Sequence, residues 1–435
     1  MPKQLPTLEQ LDPTHSNYAT LFRHYSFPER ALKFLRLLTA PLLWLIFSAS
    51  LVIGALMGIG KAFLNLILGR PRAALHAFLA SLILLIAAPL IAVASFIPIL
   101  LRNLIRLALI TATSPWIIKK FNDTAADHYE DHKKQVESLK RYDLPNKGLV
   151  DAHDISPKTD KVSKVILTFL GNADTYTHSE SDFKRFRTIA TYLKSNLRIV
   201  NYPGYATKAP SNIDDIINAG ISQVYALMRE KNWRSKKDVE ENICLQGHSM
   251  GGGVALQVAL FFKQRYNLDL KVFVDRSFSS LDSTSSDFMT MFYSPMPKWY
   301  QRLIIKLGFT AMGDWNMRSA EAVKALNPAM VRVVNVAETP QNQNLSTYDK
   351  ITLALGLDYL ESPDPIIHNG STLGEACAAM DQHGINGRFE PIYTDSWNWN
   401  PHNTSLSSFN TRDGQSAELV PLKHFQAELC SSPKP

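Results

Sequence analysis

Ser249 is the residue whose surroundings in this chain best suit a nucleophile. It lies in Gly247-His248-Ser249-Met250-Gly251, between the apolar run Ile243-Cys244-Leu245 and the small and apolar residues from Gly252 to Leu256. A serine with glycine two residues to either side, between a short buried strand and a helix, is typical of a strained turn that exposes the hydroxyl to a base. The five-residue pattern alone is common, so it is this strand and helix context that predicts a catalytic serine.

A nucleophilic serine needs a histidine base and an acid that orients the imidazole, and in this turn type they follow in the order serine, acid, histidine. The acid is expected after the predicted strand Val331 to Val336. Asp349, in Tyr348-Asp349-Lys350-Ile351-Thr352, is the favoured candidate, and Glu338, directly after the strand, is the alternative. Either carboxylate could stabilise the imidazolium.

Four histidines follow the elbow: His368, His383, His402 and His424. His402 is the favoured base because it follows the apolar segment Phe389 to Tyr393, a predicted last strand. His383 is the alternative, since its spacing of 34 residues from Asp349 is more ordinary than the 53 residues to His402. His248, inside the elbow, is expected to pack or to line the pocket.

The oxyanion of a tetrahedral intermediate needs backbone N–H donors. One is expected from Met250, directly after the nucleophile, and the second from Asn172 in the turn Gly171-Asn172-Ala173-Asp174 after the first predicted strand. An ordinary strand-ending turn is the alternative for the second. Neither a metal nor a cofactor is expected, because the cysteines, Cys244, Cys377 and Cys430, lie far apart and make no metal-binding spacing.

Strands and helices alternate downstream of residue 160. The predicted strands are Val162–Leu170, Leu197–Tyr202, Ile243–Gln246, Lys271–Val274 and Val331–Val336, and the predicted helices are Phe183–Lys194, Ile213–Lys231, Val254–Lys263 and Ala320–Leu326. This alternation indicates an α/β domain with a mostly parallel sheet covered by helices on both faces. Catalytic groups are then expected at the carboxyl ends of the strands.

Two uncharged stretches precede this domain. Residues 37–60 and 73–101 contain no Asp, Glu, Lys or Arg, and each is longer than the roughly 20 helical residues that cross a hydrocarbon core. Pro41, Pro89 and Pro98 make a tilted, kinked or re-entrant hairpin as acceptable as two straight spans. A buried helical hairpin of a soluble core is the competing interpretation. We predict a membrane-embedded N-terminal hairpin.

The net charge of the chain is concentrated in the N-terminal part that contains these two stretches. Residues 1–150 hold 17 Lys and Arg against 9 Asp and Glu, whereas the remaining 285 residues are almost neutral, with 29 against 30. The excess charge lies beside apolar runs of membrane length, which favours a lipid bilayer as partner and argues against nucleic acid. The predicted organisation is a polar leader (1–36), the hairpin with a basic interfacial segment (37–120), a linker (121–160), the catalytic domain (161–410) and a tail (411–435).

The elbow and the order of elements resemble the α/β-hydrolase superfamily. Three phrases, Asn201-Tyr202-Pro203-Gly204-Tyr205, Gly247 to Gly252 and Asp275-Arg276-Ser277-Phe278-Ser279-Ser280-Leu281, resemble more narrowly the SidB-like hydrolases that Legionella delivers into host cells and a related chlamydial family. The His402-Asn403 pair also resembles that group. The resemblance implies a secreted bacterial effector that acts on host membranes.

The sequence therefore predicts a membrane-anchored serine hydrolase that cleaves carboxylic ester or thioester bonds of membrane lipids or acylated proteins through an acyl-enzyme on Ser249. An apolar insertion, Phe288 to Ile305, is expected to be either a lid or plain packing over the sheet edge. The three widely separated cysteines make no even disulfide framework, which favours a reducing, cytosolic compartment for the catalytic domain. An inactive scaffold or binding protein that keeps this fold, and an acyltransferase, are the alternatives.

Overall fold

The computed structural model describes residues 3–23, 27–94, 139–145, 148–157, 164–171, 180–203, 212–285, 300, 303, 316–337, 372–381, 389–393 and 405–430. Within these ranges, an N-terminal segment and a helical hairpin precede a large twisted sheet that has helices on both of its faces.

The sheet is mostly parallel, as predicted. Its described strands are β1 (Leu139–Leu144), β2 (Gly148–Ile155), β3 (Val165–Phe169), β4 (Asn196–Val200), β5 (Ile243–His248), β6 (Lys271–Asp275), β7 (Val331–Val336), β8 (Phe389–Tyr393) and β9 (Asn410–Thr411). They are ordered β1-β2-β4-β3-β5-β6-β7-β8-β9. All neighbouring pairs from β4 to β8 are parallel, and β1, β2 and β9 join antiparallel at the two edges. The strand β5, which leads to Ser249, is central.

Two helical layers cover this sheet. The helices are α3 (Glu180–Tyr192), α4 (Ile213–Glu230), α5 (Lys236–Asn242), α6 (Met250–Tyr266), α7 (Ser319–Ala325), α8 (Leu373–Asp381) and α9 (Leu419–Cys430). Alternate residues of β3 point to opposite cores: Leu167 packs with α4, α6, α7 and α8, whereas Ile166 packs with α3 and α9. This period of two is what a strand buried on both faces requires, and four of the five residues of β3 are apolar, with Thr168 the exception.

The α/β domain extends beyond the limits of 161 and 410 that were predicted for a catalytic domain. β1 and β2 lie in the segment predicted as a linker, and β9 continues with α9 into the predicted tail. β2 pairs antiparallel with β4, where Arg198 is almost fully buried and donates to Asp154, with 2.6 Å between Nε and Oδ1. The pair of Asp154 and Arg198 stabilises this edge of the sheet. β1 and β2 therefore lack the continuous apolar run that marks the central strands.

The N-terminal hairpin is formed by α1 (Phe27–Ile67) and α2 (Pro71–Ala94), which pack against each other. Pro41 and Pro89 lie within the helices and break neither of them. Gly69, with φ +67°, makes the turn between the helices, and Arg70 N–H donates to the carbonyl of Asn65 across it. Most of the residues buried on the hairpin have small side chains, among them Ala55, Ala62, Ala74, Ala77 and Ser81. Such residues allow close approach, as in helix pairs of membranes.

Most of the hairpin surface is apolar and exposed. The windows Ser48–Ile67 and Pro71–Leu90, with mean hydropathy 1.8 and 2.2, are long and apolar enough to cross a membrane, and only 33% and 22% of their residues are buried. Across the described ranges, all but two of the exposed large apolar side chains lie on this hairpin or its turn. A core helix of a soluble protein would be mostly buried, so the exposure favours the membrane interpretation of these two helices.

The predicted polar leader is packed onto the catalytic domain over residues 3–23. Tyr18, Leu21 and Phe22 are buried there, and the ring of Phe22 meets that of Tyr225 on α4 edge to face, with 5.8 Å between centroids. The Tyr225 hydroxyl donates to the carbonyl of Leu21 (3.0 Å). Arg265 of α6 donates to the carbonyl of Thr20 (2.7 Å). The polar composition of the leader conceals these few apolar residues, which make it part of the core.

Candidate active site

The strand, turn and helix predicted around Ser249 are present. β5 ends at His248, α6 begins at Met250, and Ser249 between them has φ 53° and ψ −121°. An L-residue rarely adopts a positive φ outside the left-handed helical region, and such backbone strain persists only where the surrounding structure enforces it. The turn places Ser249 at the carboxyl end of the central strand, the edge of the sheet where such folds carry their chemistry.

The two glycines of the motif are explained by close backbone approach. A Cβ on Gly247 would overlap the backbone of Gly251, and a Cβ on Gly251 would overlap the carbonyl groups of Phe169 and Leu170 at the end of β3. The spacing of glycine two residues before and after Ser249 is therefore a steric requirement of this turn.

The turn after β3 lies beside the nucleophile. A Cβ on Gly171 would lie 3.6 Å from Cβ of Ser249 and 3.5 Å from Cδ2 of His248. The predicted second oxyanion donor, Asn172, is the next residue and lies outside the described part of the chain. Met250, the other predicted donor, is buried as the first residue of α6, so its amide belongs to the end of a helix dipole that favours negative charge.

Residues 275–277, at the carboxyl end of β6, hold Ser249 by its backbone. Ser249 N–H donates to the carbonyl of Asp275 (3.0 Å), and the Ser277 hydroxyl donates to the carbonyl of Ser249 (2.7 Å). We call residues 275–277 the elbow clasp. Both polar groups of the strained peptide are satisfied by the neighbouring strand end, which offsets part of the cost of its conformation.

His248, whose side chain is 25% exposed, belongs to a charged group with the buried Asp275 and Arg276. Its Nδ1 lies 3.2 Å from Oδ2 of Asp275, and Arg276 donates to both carboxylate oxygens of Asp275 at 2.7 Å each. Burial by itself would raise the pKa of the Asp275 carboxyl, but the Arg276 guanidinium and the His248 hydrogen bond outweigh it and hold that pKa well below its ordinary value. With Asp275 ionised, His248 Nδ1 carries the proton and donates.

Arg276 is itself under backbone constraint. It has φ 46°, its side chain is buried, and its guanidinium lies 5.2 Å from the centre of the Phe409 ring. Its N–H donates to the carbonyl of Val334 on β7 (2.7 Å). The elbow clasp was not predicted as functional, although the polar run Asp275-Arg276-Ser277 after a strand next to β5 was a usable signal.

The other predicted site residues lie outside the described ranges: Asp349, Glu338, His402 and His383, as well as Asn172. Of the predicted site, the structure describes Ser249 and Met250, which are adjacent in the elbow. Whether the acid and the base meet Ser249 stays a prediction.

Described residues stand on either side of two of these ranges, 338–371 and 394–404. Residue 337 leaves the carboxyl end of β7, and at the other end of the gap Leu373 N–H donates to the carbonyl of Ser277 in the elbow clasp (2.9 Å). β8 ends at Tyr393, and Asn410 of β9 pairs with that same residue. Residues 337 and 373, on either side of 338–371, and residues 393 and 410, on either side of 394–404, therefore lie at the edge of the sheet that carries Ser249.

His424, one of the four histidines considered, lies at the opposite edge. Its Nε2 donates to the carbonyl of Met330, just before β7 begins, and burial lowers its pKa to about 4. A cleft of about 410 Å³ adjoins it, lined by Arg332, Glu390 and residues of α9. Because this cleft is at the amino ends of β7 and β8, it is separate from the Ser249 site. In the part of the chain described, no group of three His, Cys, Asp or Glu side chains could hold a metal.

The strand order together with the elbow defines the class of fold. A mostly parallel sheet whose central strand runs into a strained Gly-x-Ser-x-Gly turn and then a helix is the α/β-hydrolase fold. The predicted fold class is confirmed.

No protein-family model matches the chain, and no curated protein matches it. Similar solved structures include an α/β-hydrolase from Vibrio vulnificus (14% identity, 70% of this chain and 85% of that one, TM-score 0.40). Others are the Francisella virulence factor BioJ (12%, 71% and 91%, 0.38) and a fungal esterase from Rhizomucor miehei (14%, 72% and 90%, 0.39). At such identities and TM-scores these similarities carry no weight for the reaction. The narrower resemblance to SidB-like and chlamydial hydrolases stays a prediction.

Proposed function

We propose that this chain is a membrane-anchored serine hydrolase that cleaves carboxylic ester or thioester bonds of lipids or acylated substrates. The observation that carries the proposal is the backbone of Ser249, with φ 53° and ψ −121° at the carboxyl end of the central parallel strand. A serine held in this strained turn by two obligatory glycines and the elbow clasp has the geometry of an activated nucleophile.

In the proposed reaction, Ser249 Oγ attacks the carbonyl carbon while its proton passes to His402. The N–H groups of Met250 and Asn172 stabilise the oxyanion. Collapse breaks the bond to the alcohol or thiol, which leaves with the proton from His402, and the acyl group remains on Ser249. Water then attacks the acyl carbon while His402 takes its proton. The bond between the acyl carbon and Ser249 Oγ breaks, and His402 gives the proton to Oγ, which releases the acid and the serine.

Chain connectivity favours His402 over His383 as the base. The segment with His402 starts at the carboxyl end of β8 and finishes beside it, since Asn410 pairs with Tyr393. The segment with His383 leads from the end of α8 into Phe389, the first residue of β8, at the amino edge. His402 is therefore expected to have the shorter distance to span to Ser249, which lies at the carboxyl edge.

Asp349 is proposed as the acid, with Glu338 as its alternative. Both belong to the segment that leaves β7 and returns at Leu373, next to the elbow clasp. Their positions in the chain therefore support both, and the sequence context of Asp349, followed by a predicted helix, favours it.

The hairpin is the proposed membrane anchor. Its exposed apolar surface and its small buried interface residues support insertion into a bilayer. The three cysteines lie far apart in the sequence and make no even disulfide framework, which supports a reducing, cytosolic compartment for the catalytic domain. Together with the resemblance to secreted effectors, this leads us to propose action at a host-cell membrane.

Labelling with a fluorophosphonate probe on membranes tests the proposal. Wild type should be labelled in the membrane fraction, Ser249→Ala should not, and Ser408→Ala, which removes an exposed serine, should match wild type. Equal labelling of wild type and Ser249→Ala would refute a catalytic Ser249 and favour the scaffold alternative.

Two further questions need separate measurements: which histidine is the base, and whether water or another molecule accepts the acyl group. Single replacements His402→Ala and His383→Ala should abolish and spare labelling, respectively; surviving activity in His402→Ala would exclude His402 as the base. Product analysis with lipid ester and thioester substrates should show free acid. Acyl transfer to an added alcohol in preference to water would instead identify an acyltransferase.

A further inference from the structure

Tyr202 lies at the carboxyl end of β4, in the phrase Asn201-Tyr202-Pro203, to which the proposed reaction gives no role. Its buried ring belongs to the same core cluster as Val200, so the alternation of β4 continues past the last residue of the strand. Proline disfavours helical backbone at the residue before it, and Pro203 therefore favours this extended course. The Tyr202 side chain is thereby directed into the core on the side of α4 and α6.

The Tyr202 hydroxyl bonds to the end of the neighbouring strand. It donates to the carbonyl of Leu170, with 2.7 Å between the two oxygen atoms. The pairing of β3 with β4 ends at Phe169 and Val200, and that of β3 with β5 ends at Phe169 and Gly247. The hydrogen bond therefore fixes a carbonyl that lies just past the point where the pairing of both strands stops.

The same carbonyl lies against the elbow. A Cβ on Gly251, in the first turn of α6, would overlap the carbonyl of Leu170, and a Cβ on Gly171 would lie 3.6 Å from Cβ of Ser249. The Leu170 carbonyl thus has both the tyrosine hydroxyl and α6 as direct neighbours. Contact with α6 limits its approach to the elbow, and the hydrogen bond resists its movement away from Tyr202.

The position of this carbonyl matters because the turn after β3 begins at the next residue, Gly171. The proposed reaction takes its second oxyanion donor, Asn172, from that turn. Such a donor must lie roughly 2.7–3.1 Å from the oxygen that becomes charged, and a displacement of about 1 Å costs on the order of a hundredfold in rate. A hydrogen bond that holds the residue before the turn therefore bears on the rate of the reaction.

We propose that the Tyr202 hydroxyl positions the oxyanion turn, because it holds the Leu170 carbonyl and with it Gly171 beside Ser249. This inference rests on the proposed hydrolase function and deepens it. Tyr202 is a positioning residue, since its hydroxyl bonds a backbone carbonyl and not the nucleophile. Its contribution is to stabilisation of the transition state, so its loss affects turnover more than substrate binding.

Tyr225 offers a matched control for the loss of a buried tyrosine hydroxyl. It belongs to the same core cluster as Tyr202, and its hydroxyl also donates to a backbone carbonyl, that of Leu21 (3.0 Å). That carbonyl is in the N-terminal segment and not in the turn beside Ser249. The Tyr225 hydroxyl also bonds that of Tyr266 (2.8 Å), so its removal should cost at least as much stability.

The test measures Tyr202→Phe and Tyr225→Phe, each in the full chain in membranes, with a short-chain nitrophenyl ester and with a long-chain trifluoromethyl ketone as inhibitor. Ser249 Oγ adds to the carbonyl carbon of the ketone, its proton passes to the base, and the ketone oxygen becomes an oxyanion that needs the same donors. Tyr202→Phe should lower kcat about tenfold with KM within about twofold, and should weaken inhibition by the ketone about tenfold. Tyr225→Phe should leave kcat, KM and inhibition as in wild type.

Unchanged kcat in Tyr202→Phe, or a lower kcat with unchanged inhibition by the ketone, would overturn the role of Tyr202. Partial unfolding lowers the apparent kcat but not the inhibition constant of the ketone, so the ketone distinguishes positioning from lost stability. An equal loss of activity and inhibition in Tyr225→Phe would also overturn that role. Absence of turnover and of fluorophosphonate labelling in wild type would refute the proposed function itself, whereas an active wild type beside an unchanged Tyr202→Phe overturns this inference alone.

Discussion

Ser249 is constrained at the scale of single residues by groups that do not react. Its N–H and its carbonyl are both bonded to the elbow clasp, and the clasp is in turn bonded to β7 and α8 through Arg276 and Ser277. Strain at the nucleophile is thus distributed over several hydrogen bonds, each of which contributes a modest amount.

Replacing Ser277 with alanine removes the hydroxyl that donates to the Ser249 carbonyl. We expect a loss of about tenfold in kcat/KM, which corresponds to one hydrogen bond of about 1.4 kcal/mol. The rate of fluorophosphonate labelling should fall in parallel, because the same turn presents Oγ to the probe. Ser280→Ala, whose hydroxyl bonds only to Ser283 among the described contacts, is the control and should leave both rates unchanged.

Asp275→Asn leaves the buried Arg276 without its ionised partner. Breaking a buried pair in this way should reduce the free energy of unfolding by about 3–5 kcal/mol. Because folding lowers the Asp275 pKa, its stabilisation is complete above the ordinary pKa of 3.8 and is lost as pH falls below it. Thermal unfolding between pH 3 and 7 measures this. The difference between wild type and variant should shrink toward pH 3; a constant difference would contradict the assigned ionisation.

At the scale of elements, the tight junction of β3, β5 and α6 makes the elbow possible. α6 begins so close to the end of β3 that a side chain at residue 251 would meet backbone carbonyls and not a movable side chain. The glycine pattern therefore reports a contact between two elements, which is why it is informative in a strand and helix context and weak without it.

Gly251→Ala should destabilise the domain by about 3 kcal/mol or more, since the added methyl must displace the backbone of β3. Gly60→Ala is the matched control, because a Cβ there would meet no atom within 4 Å, and alanine is the better helix former. Unfolding midpoints of both variants in detergent give the comparison. A neutral Gly251→Ala would show that β3 and α6 are farther apart than described.

The composition of each helix and strand explains which of them could be predicted from the sequence. The central strands and α4 are continuous apolar or amphipathic segments, so β3, β5, β6 and β7 and the elbow were predicted close to their observed bounds. β1 has the sequence LKRYDL, with three charged residues in six. The neighbouring strand, β2, is joined to β4 by the pair of Asp154 and Arg198. Edge strands stabilised by polar pairing carry no apolar run, so β1 and β2 were assigned to a linker.

The elbow clasp was missed for a related reason. Its residues act through backbone groups and through one another, and the identity of Asp275, Arg276 and Ser277 gives no sign of which peptide they hold. The predicted acid and base, by contrast, rest largely on chain order, because an acid after β7 and a histidine after β8 are expected at the edge that carries Ser249.

At the scale of the whole molecule, residues far apart in the chain combine into one unit. The N-terminal segment packs on α4 and α6 and is followed in the chain by the hairpin, and Tyr300, which lies between β6 and α7 in the chain, packs on the hairpin. The segment predicted as a leader is thus part of the folded domain, and it joins the proposed anchor to the proposed active site.

Phe22→Ala should lower the stability of the catalytic domain by about 3–5 kcal/mol, because a buried ring is removed from the cluster around Tyr225. Phe63→Ala removes an equal ring from the hairpin surface, where it is 67% exposed, and should not change the unfolding midpoint. Thermal unfolding of the full chain in detergent distinguishes the two. Equal effects would show that residues 3–23 do not belong to the core.

Trapping the acyl-enzyme tests the central claim most directly. The full chain in membranes is mixed with a long-chain nitrophenyl ester, quenched in acid within the first turnover, digested and analysed by mass spectrometry. We predict that the peptide containing Ser249 carries the mass of one acyl group on that residue. An acyl group on another residue, or product release with Ser249 unmodified at every quench time, would contradict the account.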